Sequence, residues 1–156
     1  MVEIKKILFD EKNNLEKCFQ IRKEVFVKEQ KCDPSDEYEN EEDSTHFLLI
    51  DDNTPVATAR YRQTKNGIKM ERFAVLKEMR GKGYGLLILN HMIADLSNNK
   101  LVKYLHAQVQ VVGFYEKVGF KKIGEQFDEV GIMHYKMIFK ICDVVKKRNF
   151  WRDCIP

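Results

Sequence analysis

"ERFAVLKEMRGKGYGLLIL", residues 71 to 89, decides the fold. It begins as strand-like sequence and passes through glycines at 81, 83 and 85, with bases at 80 and 82. It then runs straight into an apolar stretch. Three glycines in five positions are poor material for a helix interior and suit a turn whose backbone approaches something closely. The stretch therefore reads as strand, turn and helix. The strand covers 68–76. The helix covers 84–97 and carries Leu89, Met92, Ile93 and Leu96 on one stripe. "KYLHAQV" (103–109) is the next strand. Strand, helix and strand make one crossover unit, whose strands are expected to be parallel with a right-handed connection.

The flanking sequence fills in the rest. "VEIKKILF" (2–9) is a first strand, and 14–30 is a helix in which Leu15, Cys18, Phe19, Arg22 and Phe26 recur at three- and four-residue steps. Residues 33–45, opened by Asp-Pro, are a loop. "HFLLI" (46–50) and "VATARYR" (56–62) form a hairpin around "DDNTP", and "KNG" turns the chain into the 68–76 strand. "VVGFYEKVG" is a short helix ended by Gly119, and "FKKIGEQF" with "IMHYKMIFKI" (132–141) is a closing strand pair. The expected class is α+β in a single domain over 1–156: a twisted, mostly antiparallel sheet with one parallel pair and flanking helices.

A glycine turn between a strand and a helix N-terminus is an anion site, because unpaired N–H groups and the helix dipole point outward there. Arg80 and Lys82 add charge-assisted contacts, so a phosphate ligand, and a pyrophosphate in particular, fits. No Lys-Ser or Lys-Thr follows the glycines, which excludes the P-loop pattern, and Leu86 stands where a dinucleotide fingerprint needs glycine. The alternative is a glycine turn that leads into the helix and binds nothing.

Composition bounds the remaining classes. The chain has 156 residues, 33% of them charged and 44% hydrophobic, with no apolar run long enough for a membrane helix and no secretory leader pattern. Cys18, Cys32, Cys142 and Cys154 lack C-x-x-C spacing and read as free thiols of a cytoplasmic protein; the four histidines lack ligand spacing, so no metal is expected. Residues 33–43 carry seven acids and no base, so a net charge of +3 leaves +10 for the remainder. That basic body has no closely spaced arginine helix and no aromatic-basic repeat, which argues against nucleic acid as partner.

"ERFAVLKEMRGKGYGLLIL" followed by "GFYEKVGFKKIGE" resembles the GNAT superfamily of acetyl-CoA-dependent N-acetyltransferases. Arg80, Gly83 and Gly85 match its R/Q-x-x-G-x-G/A pyrophosphate motif, and "FYEKVGF" (114–120) is a second match. "IRKEVFVKEQ" (21–30), "HFLL", "TARYR" and "HAQV" resemble a branch of small members marked by R-x-E-V-F-V-x-E-Q. The resemblance implies that Arg80, Gly81, Lys82, Gly83, Tyr84 and Gly85 receive the pyrophosphate of coenzyme A. It implies that Phe73, Ala74 and Val75 line its pantetheine arm, with the Val75 N–H as a small oxyanion hole, and that Phe114, Tyr115 and Lys117 complete the coenzyme site. Many members have Asn four residues before the motif tyrosine; Val111 stands there, so Gln108 or Gln110 is expected to supply that contact.

Acetyl transfer to an amine needs a base, because an aliphatic amine arrives mostly protonated, and an acid for the departing thiolate. By resemblance Tyr115 is the acid. Glu71 is the leading base, placed by strand alternation with Phe73 and Val75. His106, on one strand face with Gln108 and Gln110, is a second base candidate, and His46 and His134 are weaker ones. Arg60 and Arg62 share a strand face and suit an anionic acceptor. Arg22 on an apolar stripe needs a partner: a carboxylate such as Glu24, Glu29 or Glu39, the acidic loop, or a substrate phosphate. The core also resembles glucosamine-phosphate N-acetyltransferases, including their apicomplexan form, which implies glucosamine 6-phosphate as acceptor and Glu71 as a sugar contact. Polyamines, other small amines, protein lysines and a non-catalytic acyl-CoA-binding role stay open. Pairing in related proteins and "FW" at 150–151 suggest a homodimer.

Overall fold

The computed structural model describes residues 1–139. The expected tail "KKRNFWRDCIP", with Phe150 and Trp151, lies outside the described residues. The chain divides into two compact units, Met1–Leu101 and Val102–Pro156.

The first unit holds β1 (Val2–Ile7), α1 (Lys12–Arg22), a π-helical segment (Lys23–Glu29), α2 (Pro34–Glu37), β2 (Ser44–Asp51), β3 (Thr54–Thr64), β4 (Gly67–Val75) and α3 (Tyr84–Asp95). Its strands follow one another in the order β1-β2-β3-β4, each antiparallel to the next. Short turns join β2 to β3 and β3 to β4, while α1, the π-helical segment and α2 lie between β1 and β2. The core under α1 is built from Ile7, Leu15, Cys18, Ile21, Val25, Leu48, Ile50 and Ala74. Each large aliphatic side chain buried there contributes roughly 1.5–3 kcal/mol. The stripe expected on α3 buries Leu89, Met92 and Leu96, while Ile93 is only half-buried.

Three local features differ from the sequence expectation. The helix expected over 14–30 changes character after Arg22, where its turns widen and the Gln30 N–H donates to the Val25 carbonyl at 3.1 Å. The acidic segment expected as loop contains a helical turn, Pro34–Glu37, capped by Asp33 whose carboxylate accepts from the Ser35 N–H at 2.8 Å. The third lies in β4. Thr58 pairs with Ala74 but Arg60 pairs with Glu71, so two residues of β4 face one of β3. Arg72 takes a left-handed φ of 60° in this bulge. The extra residue shifts the face of everything before it. Glu71 falls in line with Ala74, on the face that α1 covers, and the expected alternation with Phe73 and Val75 is broken.

The second unit holds β5 (Lys103–Gln108), a 3₁₀ turn (Val109–Val111), α4 (Val112–Val118), β6 (Phe120–Glu129) and β7 (Ile132–Phe139). Its strands lie in the order β5-β7-β6, antiparallel at both pairings. Gly119 ends α4 in the left-handed conformation, as expected for a C-terminal glycine.

Candidate active site

The glycine turn has the backbone that an anion needs. Gly81 and Gly83 sit at φ 80° and 83°, and Gly83 is the N-cap of α3 with no side-chain cap hydrogen bond. Leu86 and Leu87 both donate to the Gly83 carbonyl at 3.0 Å. Among the described residues, the amides of 81 to 85 have no backbone acceptor. A Cβ placed on Gly81 or Gly83 would meet nothing within 4 Å. Glycine is therefore required by the left-handed backbone, and the space around it is open. Lys82 is exposed, with Nζ 3.3 Å from Met79 Sδ, and Tyr84 donates its hydroxyl to Asp51. Arg80 turns away to Glu29 and the Val75 carbonyl.

The acidic loop meets the arginines named above. Arg22 is 1% exposed, and donates from Nε to Glu37 Oε1 at 2.5 Å and from Nη2 to Glu41 Oε1 at 2.7 Å. Arg60, equally buried, reaches Glu41 at 2.8 Å, the Glu39 carbonyl at 2.7 Å and Glu71 at 2.9 Å. Arg72 donates to the Asp36 carbonyl at 2.8 Å and lies 3.3 Å from Glu37. The partners of Arg22 are thus Glu37 and Glu41. Of the acids expected, Glu24 pairs with Lys28, Glu29 with Arg80, and Glu39 offers only its carbonyl, to Arg60.

Glu71 continues this network toward the surface. It accepts from Arg62 Nε at 2.8 Å and pairs with Lys69 Nζ at 3.1 Å as well as with Arg60. Burial alone would raise its carboxyl, but Arg60, Lys69 and Arg62 outweigh it and hold it down to about 2. A carboxylate at that value stays ionised and is a weak proton acceptor, so the electrostatics favour a cation-holding task over the base expected from sequence. His46 is fully buried, with Nε2 3.3 Å from Glu41, and burial pushes it down to about 4 despite that carboxylate. It is neutral at pH 7. Burial likewise pushes the Cys18 thiol up to about 11 and leaves it inert.

In the second unit, Tyr115 on α4 is buried between Phe114 and Phe120, at ring distances of 5.1 and 5.8 Å. Burial raises its phenol, so it keeps its proton across the physiological range. Lys117 is exposed, and Gln108 accepts from Gln110 Nε2 at 2.6 Å. His106 Nδ1 lies 3.2 Å from Glu129 Oε1, and its ring stands edge-on to Phe127 at 4.9 Å. A neutral His106 that donates from Nδ1 to this carboxylate keeps a lone pair on Nε2. His134 Nδ1 is 2.7 Å from the Ile132 carbonyl, which only accepts, so Nδ1 carries hydrogen. Among the described residues, no group of three or more His, Cys, Asp or Glu side chains is placed to hold a metal, and no helix is long and apolar enough to cross a membrane.

Residues 9–141 match the sequence profile of a family described as an acetyltransferase (GNAT) domain. The chain belongs to the GNAT acetyltransferase family. The profile spans most of the chain and both units. A Bacillus subtilis protein provisionally named an acetyltransferase is 37% identical over 141 residues, covering 87% of this chain and 95% of the relative. The crystal structure of Escherichia coli ElaA superposes with a TM-score of 0.81 at 26% identity, covering 90% of this chain and 100% of that one. The PaiA N-acetyltransferase of Thermoplasma acidophilum, solved in complex with coenzyme A, shares the fold at a TM-score of 0.63 and 18% identity, over 90% of this chain and 99% of that one. The α+β GNAT fold expected from the sequence is the fold found, and the chain is an acetyl-CoA-dependent N-acetyltransferase. The names of these three relatives specify no acceptor.

For a GNAT enzyme, the open amides of 81–85 suit the diphosphate of acetyl-CoA, whose thioester would supply the activated acetyl group. Sequence reasoning named the acidic loop as a partner for Arg22 without singling out Glu37 and Glu41, and it missed Glu129 and the bulge at Arg72. The one available signal was Arg22 itself, a charge on an apolar stripe that demanded a buried acid.

Proposed function

We propose that the acceptor is a primary amine on a small molecule that also carries an anion, with glucosamine 6-phosphate as the favoured member. The observation that supports this reading is the cluster of cations around Glu71: Arg60, Arg62 and Lys69 all reach this carboxylate. Arg60 is committed to the buried network, whereas Arg62 is 21% exposed and Lys69 15% exposed. Arg62 and Lys69 meet the acceptor's anion, and Glu71 holds them in place. Arg22 serves the fold through Glu37 and Glu41.

In this reading the turn from Arg80 to Gly85 seats the diphosphate by its amides, with Phe73, Ala74, Val75, Gln108, Phe114 and Lys117 as the other coenzyme contacts implied by the family. His106, oriented by Glu129, takes the proton from the ammonium through Nε2. Tyr115, kept neutral by burial, gives a proton to the departing thiolate. The enzyme works on small molecules in the cytoplasm as a homodimer, without nucleic acid or membrane as partner.

Thiol release from acetyl-CoA, measured with glucosamine 6-phosphate, glucosamine, a polyamine and a lysine peptide, tests the acceptor. Arg62→Gln is expected to raise KM for glucosamine 6-phosphate about tenfold, the size of one lost charge-assisted hydrogen bond, and to leave glucosamine unchanged. Equal effects on both sugars, or turnover confined to the polyamine or peptide, would contradict it.

A further inference from the structure

Arg80 opens the glycine turn, yet its side chain lies along the surface toward Glu29 and the Val75 carbonyl. Its Nη1 and Nη2 donate to the two oxygens of Glu29 at 2.7 and 2.6 Å, and its Nε donates to the Val75 carbonyl at 3.1 Å. A guanidinium held in parallel by both carboxylate oxygens is oriented far better than an ordinary surface ion pair. Three of its five N–H donors are used by these bonds, which fixes its plane. Glu29 is the last residue of the π-helical segment, and Val75 the last of β4. One side chain thus ties the start of the turn to a helix end and a strand end.

The turn has reason to need such an anchor. Gly81 and Gly83, both at left-handed φ, follow directly, and glycines leave an unanchored chain many conformations. Five amides aimed at one diphosphate bind it well only if their directions are set beforehand. Arg22 and Glu29 also mark the two ends of the same segment, Arg22 pinning the acidic loop and Glu29 the glycine turn.

We propose that Glu29 is a positioning residue for the diphosphate site, acting through Arg80. The inference rests on the coenzyme reading of the 80–85 turn. It makes a prediction opposite to simple electrostatics. An extra carboxylate beside an anion site repels the ligand, so its removal should tighten binding if charge alone mattered. If Glu29 positions the turn, its removal weakens binding.

Calorimetric titration of coenzyme A and of pantetheine, which lacks the diphosphate, separates these outcomes without turnover. Glu29→Gln and Arg80→Lys are each expected to weaken coenzyme A binding about tenfold and to leave pantetheine unchanged. The double variant is expected to be no worse than either alone, as residues acting as one unit are. Unfolding midpoints without ligand report whether each variant is folded. Coenzyme A bound by folded Glu29→Gln as tightly as by wild type, or tighter, would overturn the proposal. Wild-type protein that bound coenzyme A and pantetheine equally would remove the diphosphate assignment itself, and this inference with it.

Discussion

The acidic segment 33–43 and the glycine turn 80–85 lie in the same unit, and both read from sequence as polar connections. In the acidic segment, Glu37 and Glu41 are buried and spoken for by Arg22, Arg60 and Arg72. In the glycine turn the side chains face away or into solvent, and the open groups are backbone amides. Where the protein satisfies its own charges, the polar groups hold the fold together. Where it builds donors and leaves them without protein acceptors, the polar groups suit a ligand. The difference lies in who completes the hydrogen bonds, and charge density alone does not report it.

The sharpest way to break this contrast is Arg22→Ala. It takes the fully buried partner from Glu37 and Glu41, leaving Glu37 to Arg72 and Glu41 to Arg60, and a loss of about 3 kcal/mol is expected by denaturant unfolding. A loss under about 1 kcal/mol would mean that the acidic segment is no more clamped than the turn.

A pH series probes the same clamp. His46 titrates near 4 in the folded state against 6.5 as a free side chain. Between those values the unfolded chain holds more protons, so stability is full above pH 6.5 and falls as pH drops toward 4. The expected loss is on the order of 2–3 kcal/mol. Glu71 adds a second loss below its ordinary 4.5, complete near 2. Glu37, whose carboxyl is raised by burial, works in the opposite sense there. In His46→Phe the decline between pH 6.5 and 4.5 should flatten; an unchanged profile would remove His46 from the clamp.

Gly83→Ala gives the smallest effect on the fold. The added Cβ meets nothing, so only the left-handed backbone resists, at about 1–2 kcal/mol. A larger loss would show that the turn is packed rather than open.

Much of this was legible in residues. Hydrophobic alternation and turn chemistry marked β1 to β4, and the three glycines marked the turn whose amides stay open. The bulge at Arg72 was not legible, because nothing about an arginine in "MERFAV" announces a left-handed φ; pairing with β3 imposes it. That one residue moved Glu71 to the α1 face and changed its chemistry. The histidine–carboxylate pair of His106 and Glu129 was also hidden, since the two lie 23 positions apart and meet through the β5-β7-β6 order. Arg80 was legible as a motif residue, but its partner Glu29, 51 positions away, was not.

The most direct measurement follows the backbone amides of Gly81, Gly83 and Gly85 by nitrogen-15 correlation spectra during titration with coenzyme A and, separately, with pantetheine. The account predicts that coenzyme A moves these three signals strongly and that pantetheine leaves them in place. Saturable coenzyme A binding with all three unmoved would contradict it.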